Sequence, residues 1–245
     1  MNKLTIKEVS KSYDCKNVLK DISFTVNEYE TVAILGPNGC GKTTLFNIIA
    51  GLDSPDSGTI LIDDINITNT QGNVSYMPQN DLLLPYKTII QNVSLPLILN
   101  GTSKRDAYSA VKKYFNIFLE RGTENKYPHE LSGGMKQRAA FLRTYMYSKD
   151  ILILDEPFSA LDQITKNTMY SWFLDIINTF KKTTVFITHN IEEAILLADT
   201  IYIFSSKTHG IINNINTPKD KKRDFLFSLE FINYKKEITD MLGLS

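Results

Sequence analysis

Gly36-Pro37-Asn38-Gly39-Cys40-Gly41-Lys42-Thr43 is the stretch that decides the fold. A glycine, four residues and then Gly-Lys-Thr make a loop whose backbone amides wrap a polyanion, because glycines without a Cβ adopt the left-handed turns that such a wrap demands. Lys42 is placed to set its ammonium on β- and γ-phosphates, and the Thr43 hydroxyl to ligate Mg²⁺. With Thr44 these residues form the candidate nucleotide-binding segment. The flanks agree. Thr31–Leu35 is a short apolar run with strand character, and Leu45, Ile48, Ile49 and Leu52 fall at i, i+3, i+4 and i+7 of a predicted helix. The phosphates then sit at a helix N-terminus, where unpaired N–H groups and the macrodipole favour negative charge. Alone, the loop implies only that a nucleoside triphosphate binds.

The chain has 245 residues, 42% hydrophobic and 22% charged, an ordinary globular composition. Lys plus Arg and Asp plus Glu number 27 each, a net charge of zero, so no overall field draws the chain to nucleic acid or anionic lipid, and no nucleic-acid partner is expected. No run of about eighteen apolar residues occurs, and Met1-Asn-Lys-Leu-Thr5 lacks the apolar core of a signal peptide. A soluble, intracellular chain is expected. The two cysteines, Cys15 and Cys40, fit a reducing compartment with no structural disulfide, and Cys40 is expected to be open to alkylation in the empty loop.

Before the loop, Leu4 and Ile6, then Ile22, Phe24 and Val26, alternate with polar residues in the period of half-buried strands, which predicts an antiparallel β layer. Tyr13 is either a purine-stacking platform or a turn or core tyrosine. Beyond the loop, Gly58–Ile62 and Val74–Met77 read as strands, and Gln79 leaves the second as a metal or water ligand or as a surface amide. Leu82–Tyr86 and Val93–Leu97, broken by Pro85 and Pro96, resist a single regular element and read as apolar segments either covered by the fold or used for docking. Ala107, Val111, Tyr114, Phe115 and Phe118 make a helical stripe read as core.

Ser132 and two glycines in Leu131-Ser-Gly-Gly-Met135 open a helix carrying Met135, Ala139, Leu142 and Met146, a second anion-binding helix end. Two such ends are superfluous for one nucleotide unless the second serves another copy's, which suggests a dimer. Asp150–Glu156 is an apolar run ending in two carboxylates, as for a strand buried on both faces of a parallel sheet. Asp155 can hold Mg²⁺ and Glu156 can polarise a water for in-line attack; alternatively the pair caps a helix. Ser159-Ala-Leu-Asp162 reads as a turn, and Met169, Trp172, Phe173, Ile176, Ile177 and Phe180 as a core stripe. Thr183–Thr188 is another buried strand delivering His189, at the strand ends where open α/β sheets bind ligands, before a helix with Ile191, Ala194, Ile195 and Ala198. Asp199–Phe204 gives one more strand. The tail offers a charge run, Lys219–Asp224, read as a solvated connector, and an amphipathic stretch with Phe225, Leu229, Ile232, Ile238 and Leu242.

Taken together these residues resemble the ATP-binding subunit of ATP-binding cassette (ABC) transporters over nearly the whole chain, with five motifs in the family's order. The resemblance implies an α/β fold: a P-loop NTPase core with a mixed or parallel sheet, an N-terminal antiparallel β layer and a helical subdomain. The core would be residues 1–84 and 149–206, the subdomain about 85–148 and a C-terminal extension 207–245. It implies that Tyr13 stacks on adenine and that Gly36, Pro37, Asn38, Gly39, Cys40, Gly41, Lys42, Thr43 and Thr44 hold the phosphates. Thr43, Gln79 and Asp155 would hold Mg²⁺, with Glu156 as general base and His189 and Gln79 as its catalytic companions. Leu131, Ser132, Gly133, Gly134 and Met135 would be the signature acting across a head-to-tail dimer with a second copy or a paralogous subunit, and Ser159, Ala160, Leu161 and Asp162 the dimer-contact loop. An integral membrane permease and, indirectly, an extracytoplasmic solute-binding protein would be its partners, and its place the inner face of the cell membrane. Leu83–Tyr86, Tyr127–Arg138 and Phe158–Gln163 look most like the nitrate, sulfonate and taurine importer group, with departures at Tyr86, at Leu142-Arg143-Thr144 and at Asn190. Uptake of a riboflavin, pyrimidine or thiamine precursor, an export or lipoprotein-release ATPase, and a non-transport regulatory ATPase are the alternatives.

Overall fold

Two sheets close on a single helix. The computed structural model describes residues 2–14, 16–147, 149–218, 221 and 225–243. It begins with β1 (Asn2–Tyr13), β2 (Lys16–Asn27), β3 (Thr31–Leu35), α1 (Lys42–Ile49), β4 (Ser57–Ile62), β5 (Ile65–Asn66) and β6 (Ser75–Met77). Three helices follow in succession, α2 (Ile89–Leu99), α3 (Lys104–Phe118) and α4 (Gly133–Met146). Alternation resumes with β7 (Ile151–Asp155), α5 (Gln163–Phe180), β8 (Thr183–Thr188), α6 (Ile191–Leu197) and β9 (Thr200–Ser205), and then come β10 (Gly210–Asn216) and α7 (Leu229–Leu242).

The first sheet is antiparallel, in the order β2-β1-β4-β5, and the second runs β10-β9-β3-β8-β7-β6 with only the β10–β9 pair antiparallel. Strands β3, β7 and β8 are buried along their whole length, as their unbroken apolar runs require of central parallel strands. In β1 and β2 the alternation places Leu4, Ile6, Ile22, Phe24 and Val26 inside. These pack with Leu45, Phe46, Ile48 and Ile49 of α1 and with Val32, Ile34 and Ile153 of the second sheet, so α1 is wedged between the sheets. The opposite face of the second sheet carries the other core, which α2 to α7 cover.

Several expectations are corrected. Helix α1 stops at Ile49, because Gly51 takes φ 72° with no room for a Cβ, which would lie 2.3 Å from the Thr70 carbonyl oxygen; Leu52 is therefore 60% exposed and off the stripe. The broken apolar segment is half helix: α2 runs through Pro96. A proline removes one helical hydrogen bond, but Thr88 and Gln91 box the N-terminus, and burial of Ile89, Ile90 and Val93 against the core of α3 and α4 outweighs that loss. Strand β10 escaped the sequence reading because Asn213 and Asn214 interrupt its apolar pattern. In α7 the inward residues are Phe231 and Ile238, whereas Leu229 and Ile232 are 80% and 54% exposed. Cys15 and the charge run other than Lys221 lie outside the described residues. Lys221 is not solvated: its ammonium donates to the Ala198 carbonyl and burial lowers its pKa to about 8. No described helix is long and apolar enough to cross a membrane.

Candidate functional site

Strands β3, β8, β7 and β6 run parallel, so the residues that follow them emerge at one edge of the sheet. After β3 comes the glycine loop. The Gly36 amide donates to the Thr188 carbonyl at 3.3 Å. Gly41, the N-cap of α1, takes φ 104°, and a Cβ there would lie 2.6 Å from the Val18 carbonyl oxygen, so β2 presses the loop shut. No side chain caps α1. The amides of its first turn, Lys42 to Thr44, therefore face a cleft of about 400 Å³ lined also by Asn38, Gly39, Val18, Gln79 and Glu156.

Lys42 is 5% exposed, and its ammonium donates to the Gly36 and Pro37 carbonyls at 2.9 and 2.7 Å. The cation thus lies coiled inside its own loop, held by neutral acceptors that a phosphate would outbid. Cys40 corrects an expectation. It is 1% exposed, and burial pushes its thiol pKa up, so the loop keeps it protonated and shielded from alkylation.

Asp155 closes β7 and is 3% exposed. Burial raises its pKa, against the opposing pull of the Thr43 hydroxyl. A raised carboxylate contributes stability that is present below its unfolded pKa and lost as pH rises through the folded value, so at neutral pH the Asp155 anion is a cost. Asp155→Asn is therefore expected to raise the Tm of the nucleotide-free chain at pH 7 and to narrow that gain as pH is lowered; a lower Tm at pH 7 would refute the account. The Asp155 carboxylate, the Thr43 hydroxyl beside it and the Gln79 amide offer oxygen ligands alone, which suits Mg²⁺ held by one or two carboxylates plus phosphate and water. Among the described residues no cluster of three or more His, Cys, Asp or Glu offers a cage made of protein alone.

Glu156 follows in a left-handed conformation, φ 46°, fixed by its amide donating to the Ile187 carbonyl at 3.1 Å. That turn swings the carboxylate between two strand ends. Its Oε2 accepts from Gln79 Nε2 at 3.2 Å, and its Oε1 meets His189 Nδ1 at 3.1 Å. The sheet therefore gathers Gln79, Glu156 and His189, residues from three separate loops, beside the glycine loop. Asn190 caps α6 by accepting from the Glu192 and Glu193 amides.

Tyr13 stands at the end of β1, 44% exposed, which rules out the core reading. Its phenol donates to Asp53, which pushes its pKa up to about 12, and the Thr44 hydroxyl lies within hydrogen-bonding reach of it. Lys11 Nζ sits 5.1 Å from the ring centroid and 3.1 Å from Asp53 Oδ1.

The signature is not brought to this cleft; none of Leu131 to Met135 lines it. Ser132 caps α4 through the Met135 amide at 3.3 Å, and Gly134 lets α4 approach α5, since a Cβ on it would lie 3.0 Å from Thr165. Asp162 caps α5 by accepting from the Ile164 and Thr165 amides, and the Thr165 hydroxyl donating to it, together with those amides, holds its pKa low. Ser159 folds back, its hydroxyl donating to the Glu156 carbonyl at 3.1 Å. Sequence reasoning missed Val18 and Asp53. Val18 shapes the cleft through its backbone, which no side-chain pattern signals, and Asp53 is visible only once a fold places it against Tyr13.

A family model described as "ABC transporter" matches residues 19–159. The formylaminopyrimidine import ATP-binding protein ThiZ of Halalkalibacterium halodurans is 46% identical over 221 residues, covering 90% of this chain and 86% of that one. The aliphatic sulfonates import ATP-binding protein SsuB 1 of Shouchella clausii is 38% identical, covering 99% and 92%. Among solved structures, the dimeric post-hydrolysis state of the ATP-binding cassette MJ0796 bound to ADP and phosphate matches with a TM-score of 0.76 at 28% identity, over 89% of this chain and all of that one.

Proposed function

The chain belongs to the ABC transporter family as an ATP-hydrolysing subunit of an import system, and from that premise we propose how its residues cleave ATP and what the cleavage moves. The observation that carries the reading is the Glu156 carboxylate held between Gln79 and His189 at the mouth of a cleft that also presents Lys42 and the first turn of α1.

ATP enters with its phosphates on the amides of Gly39 to Thr44. Lys42 exchanges the Gly36 and Pro37 carbonyls for β- and γ-phosphate oxygens. Thr43, Gln79 and Asp155 would hold Mg²⁺, which when bound would supply positive charge to offset that of the phosphates. Glu156 takes a proton from the attacking water, the bond from the γ-phosphorus to its bridging oxygen breaks, and His189 steadies the carboxylate and the γ-phosphate. Tyr13 stacks on the adenine. Tyr13→Ala is expected to weaken ATP binding by about tenfold, from roughly 1–2 kcal/mol of stacking, while Tyr13→Trp retains it; titration with a fluorescent ATP analogue decides this, and unchanged affinity in the alanine variant would remove the role.

A second copy supplies Ser132 and its glycines to the same nucleotide, head to tail. The reading is supported by the Ser132-capped, glycine-opened start of α4 and by the dimeric cassette that this fold resembles. Helices α2 to α4, within residues 85–148, form the subdomain that rotates as the dimer closes. The membrane permease docks at a groove of about 510 Å³ between the core and these helices, lined by Leu52, Gln71, Tyr76, Pro96, Arg143 and Tyr147. Exposed Leu82, Tyr86 and Leu99, at 59%, 72% and 76%, extend the apolar surface on the same helical block. A solute-binding protein would deliver the cargo from outside.

For the solute, a formylaminopyrimidine-type pyrimidine precursor is the first choice, with sulfonates next, because the relatives that share most of this chain serve such cargo. Co-purification of the chain with a multi-span membrane protein, followed by uptake of labelled formylaminopyrimidine against an alkanesulfonate in proteoliposomes, tests both levels. ATP-dependent uptake of neither would discard the solute assignment, and absence of any membrane partner would discard transport.

A further inference from the structure

Asp53 lies just past the end of α1, and its carboxylate reaches across to the last residues of β1. Oδ2 accepts from the Tyr13 phenol, while Oδ1 accepts from the Lys11 ammonium at 3.1 Å and from the Ser54 amide at 2.7 Å. Lys11 is held a second time by the Ser54 carbonyl at 2.6 Å, and its ammonium sits over one face of the Tyr13 ring. One carboxylate therefore governs both the hydroxyl end of the ring and the cation on its face. The ring stands at the edge of the cleft, because the Thr44 hydroxyl, within reach of the same phenol, belongs to a residue that lines it. Asp53 is in turn tied to α1: the amides of Leu52 and Asp53 both donate to the Asn47 carbonyl, at 2.8 and 3.3 Å. Asp56 fastens the same segment to β1 independently, its amide donating to the Ser10 carbonyl at 2.8 Å and its carboxylate accepting from the Ser12 amide at 2.7 Å. Loss of the Asp53 carboxylate alone thus leaves the backbone in place.

We propose that Asp53 is a positioning residue for the nucleotide base: it locks the Tyr13 ring in place relative to the first turn of α1, with Lys11 filling one face so that adenine takes the other. This rests on the stacking role given above to Tyr13. The gain is preorganisation. A half-exposed tyrosine turns among its rotamers and loses that freedom when a base arrives, whereas a ring already clamped at its hydroxyl has little left to lose. The chemistry suits a carboxylate, whose two oxygens accept from several donors at once, while an amide has a single acceptor oxygen. The cation over the ring face adds its own attraction to the clamp. A ligand with phosphates and no base does not use this device.

The test compares the affinity of the full chain for a non-hydrolysable ATP analogue with that for inorganic tripolyphosphate, which carries the phosphates without a base. The variants are Asp53→Ala, Asp53→Asn, Tyr13→Phe, Tyr13→Ala and the double variant Asp53→Ala/Tyr13→Phe, with Tm and ATPase kinetics measured alongside. Asp53→Ala should weaken the analogue by about three- to tenfold, the effect of one side chain left to be ordered on binding, and keep tripolyphosphate within about twofold of the parent. KM for ATP should rise by the same factor at unchanged kcat, because a stack on the base is made equally in the ground and transition states. Asp53→Asn, with one acceptor oxygen, should fall between. Tyr13→Phe keeps the ring and loses the clamp, so it should weaken the analogue by about threefold and add nothing to Asp53→Ala in the double variant. Parent-like affinity in Asp53→Ala beside a weakened Tyr13→Ala, an equal loss for tripolyphosphate, or losses that multiply in the double variant would overturn the positioning. Unchanged affinity in Tyr13→Ala would instead sink the stacking role and the positioning with it. If Asp53→Ala fails to fold, Tyr13→Phe carries the comparison: parent-like affinity in that variant would overturn it.

Discussion

Glu156→Gln leaves ATP bound and abolishes most turnover. A positioned general base is worth about 10² to 10⁴ in rate, and a loss of that size is expected here, with affinity for ATP within a fewfold of the parent. The reason is geometric. Glutamine keeps the length of the side chain, and nothing in its backbone preferences differs at φ 46°, where the Ile187 carbonyl pins the amide. It can still pair with Gln79 and His189. It cannot take a proton. On the proposed cycle, in which bound ATP closes the dimer and its cleavage reopens it, the variant should also accumulate as an ATP-dependent dimer, visible by size-exclusion chromatography with light scattering. Hydrolysis near the parent rate would remove Glu156 as the base, and a monomer under saturating ATP would separate the dimer reading from the chemistry.

Lys42→Ala acts a step earlier. Hydrogen bonds to charged groups contribute about 1.5–3 kcal/mol, which corresponds to roughly a 10- to 150-fold loss of affinity when the ammonium is removed. The loss should be graded by phosphate number: large for ATP, smaller for ADP and slight for AMP, because the contacts proposed for Lys42 are to the β- and γ-oxygens. Calorimetric titration of the three nucleotides measures this directly. An equal loss for all three would mean that the substitution had collapsed the loop, since the same ammonium bridges the Gly36 and Pro37 carbonyls without ligand. Gly41 bears on that distinction: a side chain there would strike the Val18 carbonyl, so Gly41→Ala models loop collapse and should weaken all three nucleotides together.

Much of the site could be read without coordinates because its parts are local. The glycine loop, the apolar run into Asp155 and Glu156, and the run into His189 each join a strand to the chemistry at its end within about a dozen residues. Strand character and terminal residue are both written in the neighbouring side chains. Errors fell where tertiary contacts overruled local rules. Pro96 marks a break by itself, yet packing on α4 carries α2 through it. Leu52 continues the periodicity of α1 on paper, yet the close approach of Thr70 to Gly51 ends the helix first. Cys40 reads as an exposed loop thiol, yet the wedge of α1 between two sheets buries it.

By itself, then, the sequence determined the glycine loop, the order along the chain of the strands that carry the candidate site residues and the membership of the chain in its family, because these follow from residue type and spacing along a short stretch of backbone. The tertiary structure alone decided which of those residues meet. Gln79 and Glu156 are 77 positions apart, Tyr13 and Asp53 are 40, and Arg143 and Leu82 are 61. Such pairs depend on strand order in the sheet and on how the helical block sits against it. These are set by burial of surfaces distributed over the whole chain, and no local period encodes them.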